Sequence, residues 1–61
     1  MKVERFYHKD EPDQKYTLIT SATDLVSVVV WVECGNVVHN TEYSTAIVQR
    51  FFNDGTWVKL T

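Results

Sequence analysis

Cys34, His39 and His8 are the side chains in this sequence best suited to ligate a metal or to act as nucleophile and base. An imidazole beside a thiol lowers the thiol pKa and generates the attacking thiolate, so Cys34 with His39 is the nucleophilic pair on offer. A zinc site would need two of the three plus a carboxylate such as Glu33 or Glu42. Neither chemistry has the supporting spacing. Structural zinc sites carry two short-spaced ligand pairs, and covalent catalysis needs an oxyanion hole in a pocket-sized scaffold. A lone cysteine is more commonly a small core or interface residue. Asp10, Glu11 and Asp13 fall together in one charged segment, whereas paired-carboxylate hydrolysis sets one desolvated acid against another across a cleft. The two glycines, Gly35 and Gly55, belong to no phosphate-loop or dinucleotide pattern. The expectation is a protein that is not an enzyme and holds no cofactor and no metal.

Sixty-one residues amount to one domain, residues 1–61, without a cleft between domains. A domain this short buries only about 60% of the surface its unfolded chain exposes, so disulfides, a metal or a partner commonly supplement it. One cysteine forms no internal disulfide, which predicts a reducing, cytoplasmic setting. Met1 leads straight into a strand-like alternation with no signal-peptide pattern, which predicts a chain that is not exported. The apolar run Leu25 to Val32, broken by Ser27, is far short of the roughly 20 residues that span a bilayer. Six basic and eight acidic side chains are scattered, with a formal charge of −2, so charge specifies neither nucleic acid nor an acidic mimic as partner.

The elements come from periodicity and punctuation. Val3, Arg5 and Tyr7 alternate with Lys2, Glu4, Phe6 and His8, and a similar alternation runs from Lys15 to Thr20. The charged, proline-containing segment from Lys9 to Gln14 predicts the turn between these two strands. Asn53-Asp54-Gly55 between Tyr43–Phe52 and Thr56–Leu60 predicts a C-terminal hairpin. A three-residue loop there pairs Phe51 with Trp57 and Arg50 with Val58, and avoids setting Arg50 opposite Lys59. The segment from Thr23 to Gly35 holds valines at 26, 28, 29, 30 and 32, which favour a strand. Its punctuation favours a helix: Thr23 as N-cap, Asp24 in the first turn and Gly35 at the C-terminus. A helix also gives the sheet a covering layer, so the predicted fold class is α+β, a small antiparallel sheet of two hairpins with one short central helix (ββαββ). The alternative is an all-β small barrel or sheet.

Function is expected to lie in surplus apolar surface. As a helix, residues 23–35 put Val26, Val30 and Trp31 away from the core stripe of Leu25, Val28, Val29 and Val32, and as a strand they are apolar on both faces. The C-terminal hairpin is likewise apolar on both faces, with Phe51, Trp57 and Lys59 on one. Tryptophan, aromatic and arginine side chains dominate interface hot spots, so Val30, Trp31, Arg50, Phe51, Trp57 and Lys59 are the candidate partner-binding residues. The functional expectation is a small, homo-oligomeric protein–protein interaction module. Short reading frames of this format are common in phages, where they inhibit or modulate a host protein, and that role is the corresponding expectation. A single-stranded nucleic-acid binder stacking bases on Phe51 and Trp57 beside Arg50 and Lys59 is the alternative.

Overall fold

A computed structural model describes residues 1–33 and 35–60. Strands β1 (Lys2–His8), β2 (Glu11–Thr20), β3 (Val26–Glu33) and β4 (Val37–Ser44) follow one another as an antiparallel meander. Helix α1 (Thr45–Asn53) comes next, and the short strand β5 (Trp57–Lys59) returns to pair antiparallel with β1. The result is one five-stranded sheet in the order β4-β3-β2-β1-β5 with one helix on it, an α+β fold.

The predicted N-terminal hairpin forms, with Val3 opposite Ile19 and Phe6 opposite Tyr16. Its turn is shorter than the predicted Lys9–Gln14, because β2 already starts at Glu11 opposite His8, and the register shifts between Tyr7 and His8, leaving residues 12–14 without partners on β1. Pro12, which has no N–H to donate, is tolerated in such an irregularity.

The helix is not where the sequence placed it. Residues 26–33 are the strand β3, paired on both sides, and β-branched propensity outweighs the apparent caps. Asp24 takes φ 63° in the β2–β3 turn, where Asp24 N–H donates to Ser21 O at 3.1 Å. A short polar side chain tolerates that left-handed conformation, so the residue that resembled a first-turn acid is a turn residue. Gly35, at φ 83°, serves the β3–β4 connection in the same way.

The predicted strand over residues 43–52 is mostly helix. Ile47, Val48, Phe51 and Phe52 recur with helical spacing, and Ser44 caps them by accepting the Ile47 N–H at 3.4 Å. Asp54 closes the helix, its N–H donating to Arg50 O at 3.0 Å, and Gly55 follows at φ 83°. Hydrogen bonding from Thr56 holds the Asp54 carboxyl below the usual aspartate range. Asn-Asp-Gly thus ends a helix instead of turning a hairpin. Phe51 and Arg50 accordingly do not pair with Trp57 and Val58, whose partners are His8 and Tyr7 on β1.

Phe6, Leu18 and Val29 from three neighbouring strands meet Val48 of α1 in the buried core. Fully buried Ser27 binds the Thr45 hydroxyl at 3.0 Å beneath the start of the helix, and Thr45 N–H reaches Leu25 O at 3.1 Å. By alternation Val28 and Val30 point to the other side of the sheet from Val29, where no element of the described residues lies.

Gly55→Ala meets no steric obstacle, since nothing lies within 4 Å of the added Cβ, but it strains a left-handed residue. Urea unfolding is expected to show a loss of about 1 kcal/mol. An unchanged midpoint would contradict the helix-terminating conformation.

Candidate functional site

A nine-residue helix is about 14 Å long and about 10 Å wide, whereas four strand spacings amount to about 19 Å measured along the sheet, which curls toward the helix. The helix therefore covers part of one face and none of the other. Two surfaces remain: an aromatic groove beside the helix, and the bare opposite face.

The groove is built on cross-strand pairing. Phe6 and Tyr16 are partners in β1 and β2, with ring centroids 5.2 Å apart and planes 15° from parallel. Tyr16 is the partner of Trp31 in β3, at 5.6 Å and 59°, and Trp31 that of His39 in β4, at 5.5 Å and 18°. Trp57 of β5 stacks on Phe6 at 4.4 Å. A ladder of rings, one per strand, thus crosses the whole sheet. Tyr43, from the β4 edge, reaches over the sheet to meet Trp57, from the β5 edge, edge-on at 5.6 Å and 83°. Between Tyr43, Trp57, Trp31, Tyr16, His8 and Val29 lies a groove of about 260 Å³.

Carboxylates flank it. Glu33 accepts from Trp31 Nε1 at 3.3 Å, and its other oxygen lies 3.1 Å from His39 Nε2. Burial, then the charges of Glu11 and Glu33, push the Tyr16 phenol above its ordinary pKa. His8 Nδ1 accepts the Asp10 N–H at 3.1 Å.

The predicted interface residues divide among these surfaces. Trp31 and Trp57 line the groove, and Phe51 packs on Trp57 at 4.6 Å from the helix. Arg50 is exposed in the last helical turn. Lys59 is held by Glu4 at 3.1 Å and lies 5.1 Å over Phe52. Val30 lies on the bare face. Phe6, Tyr16 and Tyr43 were missed, and counting outward from the turn does not recover the Phe6–Tyr16 pair, because the register shifts between Tyr7 and His8. Among the described residues no three potential metal ligands are gathered: His8 and His39 sit on strands three positions apart in the sheet order. His39 lies within β4, not beside a turn, and Cys34 lies outside the described residues.

On the bare face, Val3 pairs with Ile19, Ile19 with Val28, and Val32 with Val38, while Val30 stands between Thr17 and Asn40. Val58 continues the surface next to Tyr7. Val3 is 58% exposed and Val38 63%.

The raised Tyr16 pKa has a defined sign. Around pH 10, the ordinary tyrosine value, the unfolded chain releases this proton before the folded protein does. Stability from this group is intact below that range and declines as pH rises through it. Tyr16→Phe is expected to flatten the alkaline arm of the pH–stability curve measured by urea unfolding.

No known family model, no characterised protein and no solved structure matches this chain, so its function is argued from its own geometry.

Proposed function

We propose that this chain is a non-enzymatic protein-interaction module that self-associates through its bare sheet face. The observation that carries this reading is the uncovered surface of Val3, Ile19, Val28, Val30, Val32 and Val38 on one five-stranded sheet. Contiguous exposed apolar surface of this extent is uncommon on monomers and marks interaction sites.

Size and charge favour a second copy as the occupant. Five strands at about 4.8 Å spacing and about seven residues each cover roughly 500 Å², so a face-to-face pair buries at most about 1,000 Å², the lower bound for a specific interface. Exposed Glu42 stands on β4, and exposed Arg5 and Lys15 stand across the same face on β1 and β2. A two-fold axis along the strands brings the Glu42 side of one copy over the basic side of the other. The lone cysteine favours a reducing cytoplasm, and no helix among the described residues is long and apolar enough to cross a membrane. Inhibition or modulation of another protein is the corresponding role. A nucleic-acid platform is less favoured: the bare face presents valines, and carboxylates flank the aromatic groove.

Light scattering over a wide dilution series is expected to give the mass of a dimer. Val30→Lys, and independently Val38→Lys at the edge strand, are expected to give a monomer with an unchanged far-ultraviolet circular dichroism spectrum. A wild-type protein that stays monomeric at all concentrations, or lysine variants that dimerise as tightly as wild type, would rule the reading out.

A further inference from the structure

We propose that the aromatic groove beside the helix is a binding site for a trimethylammonium group, its ligand a small cationic molecule of the choline class. The groove lies on the opposite side of the sheet from the self-association face, so this inference stands independently of that reading.

The walls supply π faces in several orientations. Tyr16 is inclined 59° to Trp31, and Tyr43 stands at 83° to Trp57, so the rings enclose more than one side of the space. An aromatic ring carries negative charge on its face, and several rings around one cavity attract a cation without a formal charge inside it. At about 260 Å³ the groove is smaller than most drug-sized sites and suits a headgroup.

The electrostatics have the same sign. The Glu33 carboxylate is held beside Trp31 and His39 by contacts of 3.3 and 3.1 Å. Glu11 is the β-sheet partner of His8, which lines the groove. Both carboxylates lie close enough to add to burial in raising the pKa of the Tyr16 phenol, so negative charge flanks the groove. No lysine or arginine lines the groove.

Hydrogen-bonding capacity separates a trimethylammonium from an ordinary ammonium. A lysine ammonium carries three donors that need acceptors once water is removed, and ring faces do not replace them. A trimethylammonium has no donor to satisfy, and its methyl groups can pack directly on the rings.

The molecule carries its own reporter, because its only two tryptophans, Trp31 and Trp57, both line the groove. The experiment titrates the full chain with choline chloride and follows tryptophan emission, with sodium chloride holding the ionic strength constant. Parallel titrations use 3,3-dimethyl-1-butanol, in which carbon replaces the charged nitrogen, and phosphatidylcholine vesicles. Choline is expected to give a saturable change and to bind about tenfold more tightly than the uncharged analogue. Exposed Glu33→Gln, which keeps hydrogen-bonding groups beside Trp31, is expected to weaken choline several-fold and leave the analogue unchanged. Equal affinity for choline and analogue would overturn the proposal in favour of a plain apolar groove. No saturable response to choline would overturn it outright, as would binding to vesicles without binding to free choline.

Discussion

β4 and β5 lie at opposite edges of the sheet and run in the same direction, because each is separated from the other by successive antiparallel pairings. Residues 45–56 must therefore carry the chain from one edge to the other, and they can do so only over a face. That requirement places the helix. It delivers Val48 onto Phe6, Leu18 and Val29, and it confines the helix to the side where those residues point. None of the elements among the described residues crosses the other side. The well-packed core and the bare valine face are two results of one connection.

The ladder of rings beside the helix extends this packing to the strand ends the helix does not reach. Trp57, Phe6, Tyr16, Trp31 and His39 contact in succession across all five strands. Aromatic pairs add about 0.5–1.5 kcal/mol beyond the area they bury, which helps to stabilise a sheet with only one covering layer. Rings serve this position better than aliphatic side chains would, because the sheet curls toward the helix and large side chains then close the remaining distance between the edges, as Tyr43 and Trp57 do. The same reach leaves space beneath, so the groove follows from how the half-covered face is filled.

The strands of the N-terminal hairpin were legible from the alternations over residues 2–8 and 15–20 on either side of the charged, proline-containing segment, although the turn itself is shorter than that segment. The fold class was legible because the chain needs both a sheet and a covering layer. The position of the helix was not. Thr23, Asp24 and Gly35 have the composition of helix caps, and the same residue types make turns, since all three tolerate or stabilise non-helical backbone. Asn53-Asp54-Gly55 presents the converse ambiguity: left-handed glycine serves a hairpin loop and a helix terminus equally. The helical spacing of Ile47, Val48, Phe51 and Phe52 was the stronger evidence there. Surplus apolar surface was legible from the valines of β3, but its division into a valine face and an aromatic face required the register. Trp31 and Val30, neighbours in sequence, belong to different surfaces for that reason alone.

The pairing of β5 with β1 joins the two strands farthest apart in sequence. Every other strand contact links neighbours in sequence, whereas His8 opposite Trp57 closes a loop of roughly fifty residues. The meander is thus built from sequence-local contacts, and the final strand carries most of the entropic cost of ring closure. Until β5 docks, β1 is an open edge and Phe6 stacks on Tyr16 alone. A short peptide joining β5 directly to β1 would convert this long-range closure into a local one, and the existing turns would then offer new places for the chain to start.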